Sequence, residues 1–139
     1  MLRKFQAQLA KLGLTGKKVL VAVSTGCDSM VLLDLLLKSQ RRFDLQIYVA
    51  YVDHQLRPAS KAETAFIKDY CHEKRLPLRT YTWPLGEHPA KGVEAAARKM
   101  RYDFFKRVMA TEQLATLLTA HHADDQAETF LMKLIRGGQ

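Results

Sequence analysis

The chain has 139 residues, of which 47% are hydrophobic and 26% charged, and a formal net charge of +8. That length suits one domain, and the balance is typical of a globular rather than a disordered protein. No window approaches about 18 consecutive apolar residues, and the first residues lack the apolar core of a signal peptide, so we expect a cytoplasmic protein with no membrane segment. The positive charge favours nucleic acid or nucleotide phosphates as partners, although a solubilising surface would explain it equally well.

Strand-like and helix-like segments alternate along the chain. Apolar residues at helical spacing predict a leading helix over 2–12, and the apolar run 19–23 predicts a buried strand. Ser60 stands three residues before Glu63, which indicates a capping box. Further helices are predicted at 28–38, 60–74, 93–109 and 124–136, and further strands at 45–52, 78–83 and 114–120. This order predicts an α/β fold, a doubly wound and mostly parallel sheet with helices on both faces.

Polar, titratable residues follow three of the four predicted strands. The segment 24–29 follows the first strand, Asp53, His54 and Arg57 follow the second, and the segment 121–129 follows the fourth. Ligands of doubly wound sheets bind outside the carboxyl ends of the strands, so these segments predict a site. The alternative is that loops are polar in any protein.

The loop Ser-Thr-Gly-Cys-Asp-Ser at 24–29 lies between a predicted strand and a predicted helix. Small residues let a ligand approach the backbone, and the N–H groups at a helix start attract anions. Asp28 would repel a phosphate, so a functional Asp28 requires a bridging Mg²⁺. The lysine of a Walker A loop and the G-x-G-x-x-G pattern of dinucleotide sites are both missing. The alternative is a capped turn, with Ser24 or Asp28 as the N-cap and Gly26 at the bend.

One face of the predicted helix 93–109 carries Glu94, Arg98 and Arg101 at three- and four-residue spacing. This face is either ion-paired and solvated, or it presents guanidinium groups to a phosphate or a developing negative charge. The basic residues on its other faces, which are solvated or contact a nucleic-acid backbone, are Lys99, Lys106 and Arg107.

The spacing of residues in the segment 121–129 suggests a metal site, because His121 and Asp125 are four residues apart, as are Asp124 and Glu128. The segment lacks the two-histidine helical spacing that is usual for zinc, so we do not predict a zinc site. At a helix start, the two aspartates also have a plain capping and dipole role.

The loop 24–29 resembles the S-G-G-x-D-S loop of the PP-loop (N-type) ATP pyrophosphatases, which cleave ATP between the α and β phosphates. Three further segments are similar to the N-terminal catalytic domain of one branch, the tRNA(Ile)-lysidine synthetases. These segments are VDHQLR (52–57), EAAARKMRYDFF (94–105) and AHHADDQAETFLMKLIRGG (120–138). In that family the enzyme adenylates the wobble cytidine of an isoleucine tRNA with a CAU anticodon, and lysine then displaces AMP to leave lysidine.

This resemblance implies ATP and Mg²⁺ as cofactors, and an isoleucine tRNA and L-lysine as partners. It assigns the ATP phosphates to Ser24, Thr25, Gly26, Cys27, Asp28 and Ser29, and the metal to Asp28. It assigns catalysis to Asp28, Arg101, His121 and Asp125, and the lysine substrate to Asp125 and Glu128. A homodimer is compatible with the same resemblance.

The chain departs from this family in two respects. Thr25 stands where the family has glycine, so its Cβ could crowd the phosphates or its hydroxyl could donate to them. The sequence stops at Gln139, just past Arg-Gly-Gly, whereas family members continue. We therefore expect residues 1–139 to be an N-terminal PP-loop domain, a fragment with little or no activity alone.

Two other functions are compatible with the sequence. One is a non-catalytic module that binds nucleotide or RNA. The other is a related tRNA 2-thiocytidine synthetase, but those enzymes carry paired C-x-x-C cysteines, which Cys27 and Cys71 cannot form.

Overall fold

The computed structural model describes residues 1–24, 26–121 and 131–136, and for residue 121 and residues 131–136 it describes the backbone alone. The helices in these ranges are α1 (Leu2–Lys11), α2 (Cys27–Phe43), α3 (Ser60–Lys74) and α4 (Val93–Glu112), with a short 3-10 helix at Leu85–Glu87. The strands are β1 (Lys18–Val23), β2 (Gln46–Asp53), β3 (Leu78–Thr82), β4 (Thr116–His121) and β5 (Leu131–Arg136). In this part of the chain, no helix combines the length and the apolar character needed to cross a membrane.

The sheet has the strand order β3-β2-β1-β4-β5. The first four strands are parallel, and β5 runs antiparallel to β4. Near its carboxyl end, β1 places Val23 opposite Tyr51 of β2 and Ala22 opposite Thr119 of β4. The strand order reverses between β1 and β4, and such a reversal opens a crevice at the carboxyl ends of the strands.

Helices cover both faces of the sheet. Alternate residues of β1 point to opposite sides, so Val21 packs with α1, α2 and α3 while Leu20 packs against α4. Two separate cores result, one on each face. The α/β prediction with a mostly parallel sheet and helices on both faces is confirmed.

Helix α2 continues five residues beyond the predicted end at Lys38, because its buried stripe continues past that residue. Leu36, Ser39 and Phe43 recur at three- and four-residue spacing, and all three are buried. The helix ends at Asp44, which adopts a left-handed conformation.

The capping box predicted at Ser60 and Glu63 is wrong. Ala59 is the N-cap of α3, no side chain caps the helix, and Ser60 is its first helical residue. Ser60 is buried, and its hydroxyl has no hydrogen-bond partner among the described residues. The Glu63 carboxylate accepts two hydrogen bonds from the Arg57 guanidinium, a charge-assisted contact that is stronger than one to a backbone N–H.

The helix predicted at 124–136 is wrong over its second half. Residues 131–136 form β5, with Leu131 opposite His121 and Arg136 opposite Thr116. Periodicity cannot separate a short apolar run in a helix from one in a strand. The open edge of β4 offers unpaired backbone groups, and pairing with them decides for a strand. Residues 124–130 lie outside the described residues.

Candidate nucleotide-binding site

A cavity of about 780 Å³ opens at the carboxyl ends of β1, β2 and β4. It lies where the strand order reverses, and its volume is in the range of sites that hold a small molecule or cofactor. Among the polar and charged side chains that line this cavity are Ser24, Asp28, Ser29, His54, Arg57, Glu63, Arg98, Arg101 and Tyr102.

The loop between β1 and α2 is closed by its own two serines. The hydroxyl of the buried Ser29 accepts a hydrogen bond from the backbone N–H of Ser24 at 3.1 Å, and it donates to the carbonyl of Gly26 at 3.1 Å. The two serine hydroxyls lie 3.2 Å apart. Thr25, the residue that departs from the family pattern, lies outside the described residues.

Gly26 is the N-cap of α2, and no side chain caps this helix. Neither Ser24 nor Asp28 is therefore the N-cap, and the explanation of the loop as an ordinary capped turn loses its main support. The backbone of Gly26 is extended (φ −69°, ψ 161°), so no left-handed bend requires glycine here. A Cβ at this position would lie 3.3 Å from the Ser24 hydroxyl oxygen, which is a tight contact. The first turn of α2 lines the cavity, and helix N-termini attract anions.

Asp28 lies in the first turn of α2 and lines the cavity. Among the described residues, no group of three or more histidine, cysteine or acidic side chains could hold a metal ion. Mg²⁺ is usually bound by one or two carboxylates together with substrate phosphates and waters, rather than in an all-protein cage. A single Asp28 at a helix N-terminus that attracts anions therefore fits Mg²⁺ bound together with phosphates.

The turn after β2 is tied down by two consecutive side chains. The Asp53 carboxylate accepts a hydrogen bond from the N–H of Gln55 at 3.0 Å, and Nδ1 of His54 accepts one from the N–H of Leu56 at 3.0 Å. His54 and Arg57 line the cavity. Asp53 is absent from the lining of the cavity, and its carboxylate instead holds the turn.

Arg57 is paired with Glu63, whose carboxylate oxygens lie 3.0 and 3.1 Å from Nη2 of the guanidinium. Burial lowers the pKa of His54 below its usual 6.5, and the positive charges of Arg57 and Arg101 lower it further, against the opposing effects of Asp53 and Glu63. Glu63 was missed as a cavity residue, because the sequence pattern assigned it to a capping box.

Helix α4 contributes Arg98 and Arg101 to the cavity wall. This is expected if the face presents guanidinium groups to a ligand, and not if the face is only solvated. The Arg98 guanidinium lies over the ring of Tyr102, 5.0 Å from its centre. Tyr102 also lines the cavity, and its position one turn after Arg98 was the signal that could have identified it. Glu94 is absent from the lining.

Two other basic residues of α4 make contacts outside the cavity lining. Lys99 pairs with Asp103 at 2.8 Å on an exposed surface, and Arg107 lies over the ring of Tyr81 at 5.3 Å. The structure therefore separates Arg98 and Arg101 from the remaining positive charge of this helix.

The fourth strand carries Thr119 and Ala120 to the cavity. His121 ends β4, so its backbone reaches the same edge of the sheet. Asp125 and Glu128 lie outside the described residues, and their assignment to the lysine substrate stays a prediction.

The chain is similar to a known protein family and to several known proteins. The family model for the PP-loop domain (ATP_bind_3) matches residues 1–139. Among curated proteins, the chain is 46% identical over 139 residues to a tRNA(Ile)-lysidine synthase of Lactiplantibacillus plantarum, covering 99% of this chain and 31% of that protein. It is 50% identical over 121 residues to the same-named protein of Enterococcus faecalis, covering 86% of this chain and 26% of that protein. The chain thus spans less than a third of the length of these relatives.

Among solved structures, the fold is similar to that of the U34-tRNA thiolase NcsA from Methanococcus maripaludis, a structure described with its 4Fe-4S cluster. The TM-score is 0.72 at 17% sequence identity, covering 84% of this chain and 42% of that one. At this identity the likeness concerns the fold alone.

Proposed function

Since the chain belongs to the PP-loop family, which matches it over residues 1–139, we propose that it is the nucleotide-binding domain of a tRNA(Ile)-lysidine synthase. The observation that carries the proposal is the cavity at the carboxyl ends of the strands, which the loop 24–29 shares with Arg98 and Arg101. The identity to the lysidine synthases, 46% over the whole chain for the Lactiplantibacillus plantarum protein, supports this branch of the family.

In the first half-reaction, the carbonyl oxygen of the wobble cytidine attacks the α-phosphorus of ATP, and the bond to pyrophosphate breaks. The loop from Ser24 to Ser29 binds the triphosphate through backbone N–H groups at the start of α2 and through hydroxyl groups. Asp28 holds Mg²⁺, which neutralises phosphate charge when bound. Arg101, on the opposite wall, stabilises negative charge that develops at the α-phosphate.

In the second half-reaction, the ε-amine of lysine attacks the activated ring carbon, the bond to AMP breaks, and the nitrogen loses a proton. The attacking amine must be neutral, so a carboxylate near it assists by orienting or deprotonating the ammonium group. We assign this role to Asp125 and Glu128, on the resemblance of 120–138 to the family, which also assigns catalysis to His121.

The same proposal includes the substrates and the cellular compartment. The partners are an isoleucine tRNA with a CAU anticodon and L-lysine, and the protein acts in the cytoplasm. The net charge of +8 suits a nucleic-acid substrate. A homodimer is part of the same proposal, and light scattering coupled to gel filtration tests it.

A chimera tests the function, because the chain spans 31% of the Lactiplantibacillus plantarum relative. The chain replaces the matching segment of that protein, and pyrophosphate release is measured with an isoleucine tRNA or a methionine tRNA that has the same anticodon. We expect release with the isoleucine tRNA only, and lysidine when lysine is added. ATP binding without pyrophosphate release would instead indicate a non-catalytic nucleotide-binding module.

A further inference from the structure

His54 lies on the β2 side of the cavity, and one of its two ring nitrogens is occupied. Nδ1 accepts a hydrogen bond from the backbone N–H of Leu56 at 3.0 Å, within the turn that follows β2. The neighbouring Asp53 side chain holds the same turn through Gln55. The orientation of the imidazole is therefore fixed by the backbone of its own turn.

This contact also determines where the proton of the ring lies. A neutral imidazole has one donor and one acceptor nitrogen, and Nδ1 is the acceptor here. The hydrogen is then on Nε2, at the opposite side of the ring. Among the described residues, Nε2 of His54 has no hydrogen-bond partner and is not buried, so it is free to meet a ligand. Burial and the nearby guanidinium groups lower the pKa of His54, which favours the neutral ring.

The β2 side of the cavity and the start of α2 differ in their electrostatic environment. On the β2 side, the charge of Arg57 is compensated by Glu63 at 3.0 Å. The start of α2 is a different environment, because the partial positive charge of a helix N-terminus favours the anionic part of a ligand. The charge of Arg101 also acts on His54, and it opposes protonation of the ring. A neutral donor such as His54 suits an uncharged acceptor.

We propose that Nε2–H of His54 donates a hydrogen bond to an uncharged oxygen or nitrogen acceptor of the nucleoside half of ATP, and so contributes to nucleotide specificity. This rests on the proposed function, in which the triphosphate occupies the loop 24–29. Glu63 is a positioning residue in this arrangement, since it holds Arg57 and balances its charge beside the imidazole.

Two substitutions distinguish the role of Nε2 as a donor to the ligand from the role of Nδ1 as an acceptor within the turn. In His54→Asn, the amide oxygen can still accept the Leu56 N–H, but no group reaches the position of Nε2. In His54→Gln, the longer side chain brings an amide N–H close to that position. Calorimetry with ATP and with inorganic tripolyphosphate then reports on the nucleoside and on the phosphates separately.

We expect His54→Asn to weaken ATP binding by about 3- to 10-fold, the loss of one neutral hydrogen bond, with tripolyphosphate binding unchanged. His54→Gln should retain more of the ATP affinity than His54→Asn. Unchanged ATP affinity in His54→Asn, or an equal loss for both ligands, would overturn the proposal. A wild-type chain that binds neither ligand would contradict the proposed function itself, and this inference with it.

The tautomer of His54 can be measured on the wild-type chain without any ligand, so the result does not depend on the stability of a variant. A long-range proton–nitrogen correlation spectrum of the wild-type chain, assigned with His54→Gln, should show Nε2 protonated at neutral pH. A proton on Nδ1 would overturn the proposal, because Nε2 could then only accept.

Discussion

The backbone N–H of Ser24 and the buried hydroxyl of Ser29 are joined by a hydrogen bond of 3.1 Å across the loop between β1 and α2. The same hydroxyl donates to the carbonyl of Gly26, so one side chain holds both arms of the loop. The shape of this loop therefore depends on the side chain of Ser29, at its far end.

The first prediction is that Ser29→Ala loses both stability and ATP affinity. The substitution leaves the Ser24 N–H and the Gly26 carbonyl without this partner, which costs about 1–2 kcal/mol of unfolding free energy. Ser39→Ala is the control, because Ser39 is also buried in α2 but bonds to Gln6 outside the cavity. Urea unfolding should show both variants destabilised, whereas calorimetry should show weaker ATP binding in Ser29→Ala alone. Equal ATP affinity in the two variants would remove Ser29 from the site.

The second prediction concerns the metal. Asp28→Asn should weaken the binding of Mg·ATP more than that of free ATP, because the amide keeps the shape of the side chain and removes its charge. Asp34→Asn is the control, since Asp34 lies two turns further along α2 and pairs with Lys38 at 3.0 Å. Calorimetry with and without Mg²⁺ measures the difference. Equal losses for the two ligands would show that Asp28 does not bind the metal.

The third prediction uses the two cysteines as reporters. Cys27 is exposed and lines the cavity, while burial raises the pKa of the Cys71 thiol to about 11. At pH 8 only about one Cys71 in a thousand is the reactive thiolate, so iodoacetamide should modify Cys27 first. ATP should slow this modification by covering Cys27. Mass spectrometry of the labelled peptides measures both rates, and labelling of Cys27 that ATP does not slow would contradict the proposed position of the nucleotide.

The fourth prediction is a pH dependence of stability that belongs to His54. Its pKa is lowered in the folded protein, first by burial and then by Arg57, so the unfolded state binds more protons below pH 6.5. The contribution of His54 is fully present above that pH, and it is lost as the pH falls through the folded-state pKa. Urea unfolding across this range should show a decline that His54→Asn flattens. The exposed His72→Asn serves as the control, and a decline that is the same in all three proteins would contradict the assignment.

The fifth prediction concerns Asp125 in the chimeric enzyme. If Asp125 holds the lysine ammonium group, Asp125→Asn should raise the lysine requirement about tenfold, the loss of one charge-assisted hydrogen bond. ATP binding should be nearly unchanged, and adenylated tRNA should accumulate at low lysine. Loss of adenylation with an intact lysine dependence would assign Asp125 to the ATP or metal site instead.

The sequence alone predicts the four parallel strands, the helices α1 to α4 and the edge of the sheet at which the cavity lies. These depend on local patterns: an apolar run such as 19–23 forms a buried strand, and the polar segments 24–29 and 53–57 follow the strand ends. The parallel topology then brings those ends together. Helical spacing placed Arg98 and Arg101 on one face of a helix, the family resemblance assigned Arg101 to catalysis, and both line the cavity. The same reasoning missed Tyr102, which shares their face.

Only the tertiary structure decided which groups pair. Glu63 follows the pattern of a capping box, but the Arg57 guanidinium lies 3.0 Å away and forms a stronger bond than a backbone N–H would. Residues 131–136 have a pattern that suits a helix or a strand, and the open edge of β4 made them a strand. His54 could be named from its place after β2, but its tautomer depends on a contact with Leu56 that periodicity does not specify. Patterns along the chain determine which face is buried, whereas hydrogen bonds between elements depend on distances that only the packed fold sets.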